Sequence, residues 1–85
     1  MGFRMKNAIT PPQSRAARGL LNWSREKLAE AGGVPTRTIA DFELGNTEPR
    51  PSTVSRLRLA FESAGVEFIP ENGGGVGVRL KGRSS

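Results

Sequence analysis

Between Gly32 and Gly45 the chain reads GGVPTRTIADFELG, a short run closed off by glycines at both ends. Ile39 and Phe42 stand three apart and share one helical face. The opposite face holds Thr36, Arg37, Ala40, Asp41 and Leu44. A hydroxyl that both donates and accepts, a guanidinium with five donors and a carboxylate that only accepts form a face able to match the hydrogen-bonding pattern of an outside partner. The carboxylates Glu26, Glu30, Asp41 and Glu43 are the right type for acid–base work, but no pocket of useful size is expected in so small a core. The chain has no histidine and no cysteine, which removes the commonest general base, the thiolate and the usual zinc ligands. No catalytic residue, metal or cofactor is therefore expected, and the chain is read as a non-enzyme.

Eighty-five residues make one small domain, near the lower size at which a single core suffices. The net charge is +5, and its distribution is uneven. Residues 1–25 hold Arg4, Lys6, Arg15, Arg18 and Arg25 without an acid; residues 26–71 hold five bases against eight acids; Arg79, Lys81 and Arg83 follow. Clustered positive charge is a footprint for an anionic partner, and a solvated surface is its bland alternative. No apolar run approaches a membrane span and no signal peptide opens the chain, so a cytoplasmic protein without a membrane partner is the expectation.

The elements that must hold the polar face follow from caps and periodicity. Residues 1–9 read as a flexible basic arm. Thr10 with Gln13 forms a capping box, Pro11 suits the first turn, and Ala17, Leu20 and Leu21 supply an apolar face to a helix ended by Asn22. Ser24 caps a second helix, with Trp23 and Leu28 placed as a hydrophobic staple, Leu28, Ala29 and Ala31 inward, and Gly32 as its stop. The third helix spans about 35–44, Pro35 to Leu44, and Gly45 ends it. After the loop NTEPRPS, Ser52 caps a fourth helix carrying Val54, Leu57, Phe61 and Ala64, and Gly65 stops it. From Val66 the period becomes that of strands, with Val66, Phe68, Val76, Val78 and Leu80 around Asn72-Gly73, a hairpin turn signal. The division is a domain over 10–65, a β-hairpin over 66–81 and a disordered tail over 82–85. Trp23, Phe42 and Phe61 are assigned to the core. Arg56 and Arg58 lie on the exposed side of the fourth helix, and Leu59 is a surface leucine or a dimer contact. NGGGVGV lacks the lysine-serine ending and following helix of a phosphate loop, so it reads as a turn.

Helices two and three are joined by a few glycine-containing residues, the helix-turn-helix arrangement. Its second helix buries Val34, Ile39 and Phe42 on one side and presents Thr36, Arg37 and Asp41 on the other, a shape that the DNA major groove admits. The stretch WSREKLAEAGGVPTRTIADFELG, Trp23 to Gly45, resembles the phage repressor and Cro group of helix-turn-helix proteins, the XRE family. The marks are Leu28-Ala29, Gly33-Val34, Ile39, and Glu43 followed by Gly45, within a likeness covering about Pro12 to Gly65. AGVEFIPENGGGVGVRL resembles the end of a bacterial subgroup of these regulators. The resemblance implies a mainly α, four-helix repressor-like domain, here with the C-terminal hairpin.

The resemblance also implies roles. Thr36, Arg37 and Asp41 match base-contacting positions, Arg37 suiting guanine O6 and N7 and Asp41 cytosine N4. Arg25 stands at a position that usually holds glutamine and touches the DNA backbone, and Asn46, Thr47 and Arg50 fall in the loop that grips phosphate. Arg18 and Glu43 match a structural ion pair that braces helices one and three. The chain departs from the pattern in three ways: Pro35 replaces a hydroxyl cap, Asp41 and Glu48 bring negative charge, and Leu44 replaces a polar or basic residue. The expectation is a sequence-specific transcriptional regulator, a repressor that blocks polymerase or an activator that recruits it by contact, bound as a homodimer to a double-stranded operator with two half-sites. RNA polymerase or another regulator is a further partner in that reading. The alternative is a protein-interaction module, such as an antitoxin or antiactivator, using the same fold.

Overall fold

Thr10 starts the first helix with a reciprocal capping box. Its Oγ1 accepts from the Gln13 backbone N–H at 3.2 Å, and Gln13 Oε1 accepts from the Thr10 N–H at 2.9 Å. The computed structural model describes residues 8–71 and 73–81. Its elements are α1 (Pro11–Leu21), α2 (Arg25–Gly32), α3 (Thr36–Glu43), α4 (Pro51–Ser63), β1 (Val66–Ile69) and β2 (Gly77–Leu80). Four helices followed by an antiparallel two-stranded hairpin make a mainly α chain. The arm and tail assigned to residues 1–7 and 82–85 lie outside the described residues. Ile9, placed with the arm by sequence, is instead a core residue.

One device ends the first three helices. Asn22, Gly33 and Gly45 each take the left-handed conformation, with φ of 58°, 68° and 78°. The next residue's N–H then reaches back five positions: Trp23 to Arg18 O at 2.9 Å, Val34 to Ala29 O at 3.3 Å, and Asn46 to Asp41 O at 2.8 Å. This closure satisfies terminal carbonyls and turns the chain sharply, which is why three short helices pack within so few residues. Gly32 is therefore the last residue of α2, and Gly33 is the stop. Two other boundaries also move. Pro35 precedes α3 as its N-cap, without a side-chain hydrogen bond. The cap of α4 is Arg50 rather than Ser52, because Pro51 itself occupies the first helical position, where its missing N–H costs nothing.

The core is centred on Leu28, Ile39, Leu57, Phe61 and Val66, all without solvent exposure. Trp23 stacks on Phe61 at 6.0 Å between ring centres, and Phe68 meets Phe61 edge-on at 5.9 Å. The inward face of α1 differs from its apolar reading. Leu20 is 41% exposed, while Gln13 and Ser14 are buried beside Ala17. Ala31 on α2 is also exposed. The polar residues are buried because each has partners inside, as the interface below makes clear for Ser14.

The strands pair in the register Val66↔Leu80, Glu67↔Arg79, Phe68↔Val78 and Ile69↔Gly77. Residues 70–76 connect them, so the turn is a longer loop than an Asn-Gly hairpin; Asn72 itself lies outside the described residues. In that loop Glu71 Oε2 accepts from the Gly75 N–H at 3.2 Å. Val76 precedes β2 rather than belonging to it. Gln13 Nε2 donates to Gly77 O at 2.9 Å, tying the hairpin to the start of α1.

Candidate nucleic-acid interface

The turn between α2 and α3 is Gly33, Val34 and Pro35. Gly33 supplies the left-handed corner, and Val34 plugs the angle between the helices, 4% exposed. Pro35, with φ of −58°, sets the chain into α3. Ile39 and Phe42 then bury one side of α3, so the other side must face outward. Thr36 and Asp41 are partly exposed on that side, with Arg37 exposed and Ala40 between them. Arg37 and Asp41 are four apart, the spacing of a helical ion pair. Among the described residues neither side chain makes a hydrogen bond or ion pair, so a donor fork and an acceptor stand ready on one stripe. Leu44, 63% exposed, lies at the far end of this stripe.

Asn46, Thr47 and Arg50 are exposed in the loop between α3 and α4. Gly45 lets the chain leave α3 in the left-handed conformation, and a Cβ there would meet open space. The loop therefore projects beside the end of α3 and carries one base, Arg50, against one acid, Glu48.

Glu43 forms the centre of a buried cluster. Its Oε1 accepts from Arg18 Nη2 at 2.7 Å and from Arg25 Nε at 3.1 Å. Its Oε2 accepts from Arg18 Nε at 3.0 Å and from Ser14 Oγ at 2.6 Å. Arg18 Nη1 donates to Trp23 O at 3.2 Å, and Arg15 Nη1 donates to the Glu43 backbone carbonyl. Burial opposes ionisation of Glu43, but the hydrogen bonds from Arg18, Ser14 and Arg25 outweigh it and hold its pKa below the ordinary 4.5. The same hydrogen bond to Glu43 raises the pKa of Arg18 against the effect of its own burial. The cluster ties α1, α2 and the end of α3 together, fixing the angle at which α3 is offered.

Sequence reasoning placed Arg18 opposite Glu43 but did not see Ser14, Arg15 or the second role of Arg25 in this cluster. The signal was faint: Ser14 and Arg18 are four apart on α1 and so share a face toward α3. Arg58 also differs from a solvated surface charge. It is partly buried, lies over the Phe68 ring at 5.3 Å and donates from Nε to Glu62 at 2.8 Å. Arg56 remains exposed, with Nη1 at 3.4 Å from Gly33 O.

Among the described residues, no helix is long and apolar enough to cross a membrane. No curated protein matches the chain. The helix-turn-helix family does match it, over residues 15–67, from the second turn of α1 into β1. That span takes in Glu43 with Arg15, Arg18 and Arg25, the α2–α3 corner and the outward stripe of α3. The chain thus belongs to the helix-turn-helix family of phage repressor and Cro-like proteins, a family of DNA-binding regulators.

Proposed function

We propose that the chain is a sequence-specific transcriptional regulator that lays α3 in the major groove of an operator. The observation that carries this reading is Arg37, exposed and unpaired at the tip of α3 in a helix-turn-helix domain. Arg37 takes guanine O6 and N7, Asp41 accepts from cytosine N4, and Thr36 serves as a short donor or acceptor beside them. Arg25, Asn46, Thr47 and Arg50 hold the phosphates that set the register. Regulation in this reading is by occupancy, which blocks polymerase or recruits it by contact.

One recognition helix reads only a few base pairs, so two copies act on half-sites about 34–36 Å apart or a multiple of that. The hairpin is the contact between them in this reading. Lys81 N donates to Gly65 O at 2.8 Å, and the alternation of an antiparallel ladder then turns the backbone groups of Val78 and Leu80 toward the free edge of β2. An open edge of this kind favours pairing with another strand. Leu80 and, on the neighbouring α1, Leu20 are both exposed.

The competing reading is a protein-interaction module, an antitoxin or antiactivator, and the exposed Leu44 on the same stripe favours it. Arg37→Ala separates the two. Fluorescence anisotropy with DNA from upstream of the protein's own gene, against scrambled DNA, should register a loss of about 1–3 kcal/mol in discrimination. The fold should be unaffected, because the exposed Arg37 side chain makes no hydrogen bond or ion pair among the described residues. Native and scrambled DNA bound equally by the wild-type chain would favour the protein partner instead.

A further inference from the structure

We propose that Glu43 acts on DNA binding through Arg25, holding that guanidinium by its Nε edge so that its two amino groups face outward as a preset phosphate clamp. The inference rests on the reading that the start of α2 lies against the DNA backbone. Its basis is the accounting of donors and acceptors around one carboxylate. A carboxylate offers about four acceptor sites, and those of Glu43 are all taken: two by Arg18, one by Ser14 and one by Arg25. The two arginines are used differently. Arg18 is 19% exposed, and each of its three nitrogens is engaged, on Glu43 or on Trp23 O. Three of its five N–H donors are used inside the cluster, and the other two belong to a side chain that is largely enclosed.

Arg25 is the opposite case. Its side chain is 32% exposed and only Nε is engaged, while Nη1 and Nη2 make no hydrogen bond or ion pair among the described residues. Arg25 is the first residue of α2, and its Nε is anchored on Glu43 at the end of α3. Charge points the same way. Arg15, Arg18 and Arg25 meet Glu43, with Glu26 the other acid close by, leaving one net positive charge at the junction of α1, α2 and α3. A guanidinium pairs with a phosphate through two parallel N–H groups, and an arginine already fixed at one edge gives up less side-chain freedom on binding. Lysine at position 25 would keep the charge, yet its single ammonium would be drawn to Glu43 or to the phosphate, not to both at once. Glu43 is in this account a positioning residue, and Arg25 is the group that meets DNA.

The test uses the full chain and a labelled B-DNA duplex of random sequence, because phosphate contacts do not depend on the operator. Binding is measured by anisotropy from about 50 to 200 mM salt. Arg25→Gln should lower the slope of log K against log salt by about 0.9, the share of one phosphate. Arg25→Lys should keep the slope and bind several-fold more weakly. Glu43→Gln should weaken binding more in the wild-type background than in the Arg25→Gln background, where only its bonds to Arg18 and Ser14 remain to be lost, the difference being the coupling through Arg25. An unchanged slope in Arg25→Gln, or wild-type affinity in Arg25→Lys, would overturn the proposal. So would an equal loss from Glu43→Gln with and without Arg25. Circular dichroism accompanies each variant, and if Glu43→Gln does not fold, the two Arg25 variants decide. Absence of any salt-dependent binding by the wild-type chain would overturn the DNA reading and this inference with it. Failure of the variants alone would overturn only the inference.

Discussion

Glu43 is the residue at which stability and presentation of the interface meet. Its carboxylate is buried, and it is tolerable there because two guanidinium groups and a hydroxyl satisfy it. Removing it as Glu43→Ala leaves Arg18 and Arg25 without their counter-charge, at a cost of about 3–5 kcal/mol. The pH dependence follows from the sign of its shift. The folded pKa lies below 4.5, so the unfolded chain takes up the proton first as pH falls. The stabilisation from Glu43 is therefore complete above the ordinary carboxylate range and disappears as pH drops through the depressed folded value. Urea unfolding from neutral pH into that acid range should show a steeper falling limb in the wild type than in Glu43→Gln. Parallel curves for the two chains would mean that the cluster carries no such linkage. By contrast, the Arg79–Glu67 pair on the hairpin is largely exposed, where pairs of this kind contribute little.

Among the elements, the helix ends give the sharpest contrast. Gly33 sits at φ of 68° with open space around a notional Cβ, so Gly33→Ala pays only backbone strain, about 1–2 kcal/mol. Gly32 is helical, and a Cβ there would meet Arg56 O at 3.5 Å and Ala60 Cβ at 3.6 Å, ordinary contacts against α4. Gly32→Ala should therefore stabilise by about 0.5–1 kcal/mol. Thermal unfolding of the two variants should move in opposite directions, and a shared direction would contradict the assignment of Gly33 as the stop. The adjacent glycines also explain what could be read in the sequence and what could not. Caps at Thr10 and Ser24, the buried Ile39 and Phe42, and the change of period at Val66 are local signals, and each led to the right element. Which of two glycines turns left-handed, and that Pro51 moves the start of α4 ahead of Ser52, depend on how the chain must be aimed at the next element. The site divides in the same way. The outward placement of Arg37 and Asp41 was legible because outward residues follow from the inward ones. The company around Glu43 was not, because Ser14, Arg15 and Arg25 come from two other helices and meet only when all three pack.

Across the molecule, the hairpin and the start of α1 are joined by one amide. Gln13 is buried, accepts from the Thr10 N–H through Oε1 and donates to Gly77 O through Nε2. A capping box is served equally well by glutamine or glutamate, so local reasoning makes Gln13→Glu neutral. The tertiary bond makes it unfavourable, because a carboxylate has no proton for the Gly77 carbonyl. The expected loss is about 1–3 kcal/mol in urea unfolding at neutral pH, and an unchanged midpoint would refute the link. The consequence is one of shared timing: the ribbon and the first turn of α1 should come apart as a single cooperative unit. Protons on the amides of β2 and on the first turn of α1 would then exchange with solvent on one common clock, and Gln13→Glu would speed both together while leaving α3 on its own.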